Sequence, residues 1–176
     1  CAPGPLNPKT GVVLNPPNLP HWRNVPLAEH VAKRFNLPCR VENDANAAGL
    51  AEYLFGAAKG AASVLYVTLS TGIGAGIIWN GRIYHGKNGA AAEGGHVTID
   101  YRSSTICNCG TPGCIEALAS GTAMAARSGG IPAEQIAAAV HAGVPAAIHV
   151  IEETVEMLAA WMGSLISLLD PDVIVI

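Results

Sequence analysis

Glu93-Gly94-Gly95-His96, followed after a short connection by Cys107-Asn108-Cys109-Gly110-Thr111-Pro112-Gly113-Cys114-Ile115-Glu116, is the stretch from which the rest of the chain can be read. Three cysteines within eight residues, with a histidine eleven positions upstream, supply four ligands. That is the number a tetrahedral structural zinc takes. Glycines and a proline between the cysteines permit the tight turns that bring three sulfurs onto one ion. A metal held by His96, Cys107, Cys109 and Cys114 has no open position, so Glu93 and Glu116 at the two ends are left to face something else. With one imidazole nitrogen on the metal, the other keeps a fixed tautomer suited to a ligand hydroxyl.

Composition bounds the possibilities. Half of the 176 residues are apolar and 13% are charged, the balance of a globular chain. The formal charge of −3 comes without a basic run, which speaks against a nucleic-acid surface. Residues 145–169 are apolar-rich, but His149, Glu152, Glu153 and Glu156 exclude a membrane span. Five cysteines, an odd number with CxC spacing, read as metal ligands in a reducing compartment, so the expected location is cytoplasmic. The chain opens without Met and stops within the apolar run Val173-Ile174-Val175-Ile176, and is expected to be a piece of a longer protein.

Along the chain, residues 1–20 predict a surface loop with a small hairpin around Lys9-Thr10-Gly11. Pro26 and the spacing of Leu27, Val31 and Phe35 predict a helix over 26–36. Cys39-Arg40-Val41-Glu42 reads as a short strand entering Asn43-Asp44, which can cap a helix from Ala45 to about Ala57. A strand over 63–69, a glycine-rich turn over 70–76, a strand over 77–79 and a third over 82–84 follow, the last two joined by Asn80-Gly81. Helices are predicted over 120–127, 132–141 and 145–169. The last carries a stripe of Ile148, Ile151, Val155, Leu158, Met162, Leu165 and Leu169, read as a core face. Asp170-Pro171-Asp172 breaks it before the final strand.

Two further stretches carry chemistry. In the turn Ser70-Thr71-Gly72-Ile73-Gly74, backbone N–H groups and the Thr71 hydroxyl can wrap a polyphosphate, with glycines permitting close approach. An ordinary hairpin explains the same residues, and the pattern matches neither common nucleotide fingerprint. Asp44 stands at a strand-to-helix corner, where a phosphoryl acceptor's base is needed, although a helix cap also accounts for Asn43 or Asp44. Together Asn43, Asp44, Glu93, His96 and Glu116 suit a polyol such as a sugar. Phosphate recognition without a basic cluster points to a nucleotide neutralised by Mg²⁺.

These residues resemble the ROK family of sugar kinases and sugar-responsive repressors, and within it the bacterial ATP-dependent glucokinases. The resemblance rests on Ala2-Pro3-Gly4-Pro5-Leu6, Pro17-Asn18-Leu19-Pro20, Val41-Glu42-Asn43-Asp44-Ala45-Asn46-Ala47-Ala48, Thr71-Gly72-Ile73-Gly74, Glu93-Gly94-Gly95-His96, the cysteine segment and Ala119-Ser120-Gly121-Thr122. It implies an actin-like, ribonuclease-H-like α/β fold, with residues 1–44 ending a small lobe and 45–176 forming most of a large sugar, phosphate and zinc lobe. It further implies Asp44 as catalytic base, Asn43, Asp44, Glu93, His96 and Glu116 as sugar ligands, and Thr71, Gly72 and Gly74 on the ATP phosphates. Structural Zn²⁺ on His96, Cys107, Cys109 and Cys114, Mg²⁺ with ATP, and a homodimer complete the expectation. Ser70 and Ala75 stand where the family often has glycine. The Asp-x-Gly-Gly-Thr turn and the Gly-Gly turn expected beyond Ile176 lie outside these residues, so the segment alone is expected to phosphorylate little. The expected acceptor is the 6-hydroxyl of glucose. A repressor, a kinase for N-acetylmannosamine, N-acetylglucosamine or fructose, and polyphosphate as donor are the alternatives.

Overall fold

Asn80 and Gly81 both adopt positive φ (49° and 74°), the backbone that a two-residue hairpin between twisted strands demands. The computed structural model describes residues 1–176, and this turn joins β4 (Ile73–Trp79) to β5 (Arg82–Ile83) in register Ile78↔Ile83 and Trp79↔Arg82. On the other side of β4 lies β3 (Ser63–Leu69), and β6 (Val173–Val175) pairs parallel to β3, giving the order β5-β4-β3-β6. The Asp172 carboxylate fastens β6 to the start of β3. It accepts from the Ala62 and Ser63 amides at 2.8 Å each, while its own N–H donates to Ser63 Oγ.

The chain divides into two compact units. The first comprises Cys1–Val67, Ala75–Glu93 and Pro171–Ile176. Its amino-terminal part holds a hairpin, β1 (Leu6–Asn7) with β2 (Val12–Val13), whose turn is fixed by Asn7 Oδ1 accepting from the amides of Lys9 and Thr10. The expected hairpin is there, but it is no mere surface loop: Ala2, Leu6 and Val13 are buried in a cluster with Val41, packed by Trp22, Leu27 and Ala28 of α1 (Leu27–Phe35) and its approach. The strand expected at Cys39–Glu42 does not form. The chain pairs there only through an isolated parallel bridge, Ala2↔Asn43, with the Ala2 amide donating to the Glu42 carbonyl; in that register Cys1 alone lies opposite Glu42, so no ladder runs along Cys39–Glu42.

Helix α2 (Asp44–Phe55) lies on the sheet so closely that a Cβ at Gly76 would stand 2.9 Å from the Ala45 carbonyl. β4 itself begins at Ile73, four residues before the expected start. Ile73 and Ala75 alternate inward as strand residues do, and the glycine between α2 and the sheet is selected by proximity, not by a turn.

The second unit comprises Thr68–Gly74 and Gly94–Asp170. It contains a 3₁₀ turn at Gly94–His96, α3 (Ile115–Ala119), α4 (Gly121–Arg127), α5 (Ala133–His141) and α6 (Pro145–Leu169). Ile136 packs on Ala147 and Val150, joining α5 to α6. Arg127 binds α4 to both neighbours, donating to the Leu118 carbonyl, Thr154 Oγ1 and Glu153 Oε2. No helix is long and apolar enough to cross a membrane.

The buried line of α6 is Ala147, Val150, Thr154, Trp161 and Leu165. Of the expected stripe only Leu165 is buried, and Val155 is 59% exposed. The helix is apolar over most of its circumference, so periodicity alone does not select its inner face. Trp161 does: it is fully buried, and its indole N–H donates to the Gly94 carbonyl at 3.1 Å. Trp161→Ala should therefore cost about 3–5 kcal/mol of unfolding free energy. Trp161→Phe, which removes the indole donor while the Gly94 carbonyl keeps the Val97 amide, should cost less, about 0.5–1.5 kcal/mol. Urea midpoints measure both, and an unchanged midpoint for the alanine variant would mean the indole is not packed as described.

Candidate functional site

In the first unit the corner Glu42-Asn43-Asp44 opens α2. Asn43 has extended backbone (φ −62°, ψ 143°), and its Oδ1 accepts from the Asn46 amide at 3.1 Å, so it is the helix cap. Asp44 follows as the first helical residue, exposed, with Oδ1 accepting from the Ala45 amide. Glu93 comes to the same corner: a Cβ at Gly4 would lie 3.2 Å from Glu93 Oε1 and 3.4 Å from Asn43 Nδ2. Glycine at position 4 thus keeps both polar groups close to the backbone.

The residue that sequence reading missed is Glu42. Its Oε1 accepts from the Asn43 amide at 2.9 Å and from Asn46 Nδ2 at 3.2 Å. Its Oε2 accepts from His85 Nε2 at 2.6 Å. One carboxylate therefore braces the cap residue, the helix's first turn and a histidine 43 positions away. The adjacency of Glu42 to Asn43 was visible, but a partner that distant leaves no local signal.

In the second unit the turn after β3 is confined to Ser70–Gly72, and Gly74 lies within β4 instead of in a longer loop. Ser70 N–H donates to the Gly72 carbonyl, the Ser70 carbonyl accepts from the Gly121 amide, and the Thr71 carbonyl accepts from Thr122 Oγ1 at 2.9 Å. Glu116 closes the arrangement, its Oε2 accepting from the Ile73 amide at 3.0 Å. A Cβ at Gly72 would fall 2.6 Å from that oxygen, so glycine is required for the carboxylate to sit there.

The expected metal ligands converge in the same unit. One ligand atom from each of His96, Cys107, Cys109 and Cys114 lies within 4.8 Å of all the others. Cys107 Sγ is 3.5 Å from His96 Nδ1, and Cys109 Sγ is 3.6 Å from Cys114 Sγ. A tetrahedral ion with zinc's bond lengths sets its S and N ligands about 3.5–3.8 Å apart. The four residues therefore fit a metal ion. Since Nδ1 faces the sulfurs, Nε2 is the nitrogen that a role in ligand binding requires. Positive φ at Gly110 and Gly113 supplies the turns between the cysteines.

Burial pushes the Cys114 thiol up to about 12, with the neighbouring Cys109 and Cys107 sulfurs adding to it, and burial also raises Cys107. At Cys109 burial is outweighed by hydrogen bonds from Thr111 and the other two thiols, which bring it down to about 7. Near pH 7.5 the metal-free cluster thus carries one thiolate and two thiols, and a divalent ion must displace the remaining protons. Calorimetry of zinc binding in buffers of different ionisation enthalpy should show about two protons released per ion, with affinity falling as pH falls. Release of no protons would contradict this assignment.

The ROK family model matches residues 1–176. A glucokinase of Thermotoga maritima is 45% identical over 123 residues, covering 70% of this chain and 38% of that protein. A xylose repressor of Bacillus subtilis is 40% identical over 124 residues, covering 70% of the chain and 32% of the repressor. The crystal structure of a ROK family glucokinase from Streptomyces griseus in complex with glucose and AMPPNP superposes with a TM-score of 0.86 at 35% identity, over 97% of this chain and 61% of that one. The chain thus spans less than two thirds of the length of these relatives. With the whole chain matched and the α/β architecture in agreement, this protein belongs to the ROK family and has its actin-like ATPase fold.

Proposed function

We propose that the intact protein is an ATP-dependent sugar kinase, transferring the γ-phosphoryl group to the 6-hydroxyl of a hexose, with glucose as the favoured acceptor. The observation that carries this reading is the bond from the Ile73 amide to Glu116. It makes one piece of a carboxylate suited to sugar hydroxyls and a turn suited to phosphate, a combination that phosphoryl transfer needs and that sugar sensing alone does not.

In this reading Asp44 accepts the proton of the sugar hydroxyl as its oxygen attacks the γ-phosphorus in line, and ADP leaves. Asn43, Glu93, His96 and Glu116 hold the neighbouring hydroxyls. The Thr71 hydroxyl and the backbone at Gly72 and Gly74 contact the phosphates, whose charge Mg²⁺ offsets. Zn²⁺ on His96, Cys107, Cys109 and Cys114 is structural and fixes the imidazole. Residues 1–44 end the small lobe and 45–176 belong to the large one, in a cytoplasmic homodimer serving carbohydrate phosphorylation.

A second reading, a sugar-responsive repressor, is favoured by the xylose repressor likeness. It predicts specific DNA binding relieved by sugar, and no turnover. For the kinase, Asp44→Asn in the intact protein should lower kcat by roughly 100-fold or more while glucose affinity stays within a few-fold. Undiminished turnover would remove Asp44 from the mechanism. Gly72→Ala, whose methyl displaces Glu116 from the Ile73 amide, should raise KM for both sugar and ATP, and unchanged constants would separate the two subsites.

A further inference from the structure

A concavity lies wholly in the first unit and shares no residue with the proposed sugar and phosphate ligands. It is a groove of about 1000 Å³. Its floor is apolar: Leu54 and Phe55 of α2, beside Leu50 of α2 and Ile83 of β5, which pack on the buried Ala58, Val64 and Ile78. Phe55 is 84% exposed and Leu54 44%, so this face of the helix has no covering within its unit.

The rim has the opposite character. Lys9, Arg40, Arg82 and Lys87 all line the groove. They are four of the ten Lys and Arg residues in a chain whose formal charge is −3. All four are exposed, and none lies within ion-pair distance of a carboxylate. Mutual repulsion of unpaired cations around one depression opposes the folded state, and an anion among them relieves it. Two guanidinium groups can each take a phosphate or carboxylate edge in a fork of hydrogen bonds. Glu42 is the one acidic residue in the lining, and its oxygens are engaged by His85, Asn43 and Asn46.

We propose that this groove binds a small phosphate monoester bearing an apolar or ring-shaped face, the phosphate on the arginines and the apolar face on Leu54, Phe55 and Ile83. Its occupancy is transmitted to Asn43, because His85 and Glu42 line the groove and Glu42 holds the Asn43 amide. The groove is thus an effector site for the corner that carries Asp44. This assignment does not rest on the kinase reading, since it concerns binding at residues outside the proposed catalytic set.

The test is calorimetric titration of the intact protein, saturated with glucose and a non-hydrolysable ATP analogue, using phenyl phosphate and inorganic phosphate as probes. Phenyl phosphate should bind one further equivalent, at least about fivefold tighter than inorganic phosphate because of the apolar floor. Arg40→Ala combined with Arg82→Ala should weaken it about tenfold or more, and Lys87→Ala on a separate segment by a smaller factor. All three residues are exposed, so folding should be retained. Addition of phenyl phosphate should also move the Asn43 backbone amide resonance in a ¹H–¹⁵N spectrum. Absence of a further equivalent, equal affinity for the two probes, or unchanged affinity in the double variant would overturn the site. An unmoved Asn43 resonance with phenyl phosphate bound would overturn its coupling to the corner. If the protein binds neither glucose nor the ATP analogue, the kinase reading fails while the same titration still decides the groove.

Discussion

Three thiolates and an imidazole gathered within 4.8 Å cannot coexist without a cation among them. The shifts say as much: two of the three sulfurs are driven toward the neutral thiol, one to about 12, by burial and by one another. A bound divalent ion reverses that balance, and the loop that delivers the ligands then has an interior of its own. The consequence reaches beyond the loop. Cys114 is the residue from which α3 starts, Ile115 behind it is fully buried, and Glu116 is the next residue along. Fixing one sulfur therefore fixes where a carboxylate two positions later can reach. That carboxylate takes the Ile73 amide, and through it the turn at Ser70–Gly72 is set. Ligation at Cys114 and the geometry of the Ser70–Gly72 turn are in this sense one constraint. The short helix between them, too short to be stable by propensity, transmits it because its apolar residues Ile115, Leu118 and Ala119 are anchored.

The same logic separates what was legible in the sequence from what was not. Asn80-Gly81, the Asn43 cap and the Cys107–Cys114 spacing were readable because each is a local demand. Positive φ, an orphan helix amide or a coordination number selects residue types within a few positions. The inner face of α6 was not readable. Its candidate stripes differ by a rotation of one residue, and the choice is made by a single indole whose partner, Gly94, is 67 residues away. The missing strand at Cys39–Glu42 is a related case. Its own residues would accept a ladder, but in the register of the Ala2↔Asn43 bridge only Cys1 lies opposite the stretch, and a strand's own residues do not show whether a partner is beside it. For the glycines of 70–76 the need for glycine was legible and its cause was not. Gly72 answers to Glu116 and Gly76 to Ala45, two close approaches from different elements that together look like one flexible loop.

The corner at Asn43 shows what such a site costs. Asn46 is buried, and its Oδ1 has no hydrogen-bond partner, a loss of about 1–3 kcal/mol for a desolvated acceptor. Turning the amide over would not recover it, because Oδ1 would then face the Glu42 oxygen that Nδ2 now satisfies. The unpaired oxygen is therefore the consequence of holding Glu42, and Glu42 in turn leaves Asn43 one orientation in which its amide is bound and its own Oδ1 caps α2. Asp44 follows directly on that fixed residue, with its carboxylate exposed at the positive end of the helix, where negative charge is stabilised. A looser corner would cost the fold less. It would also leave the proposed base free to sample orientations in which no acceptor hydroxyl is within reach, which is the condition a general base must avoid.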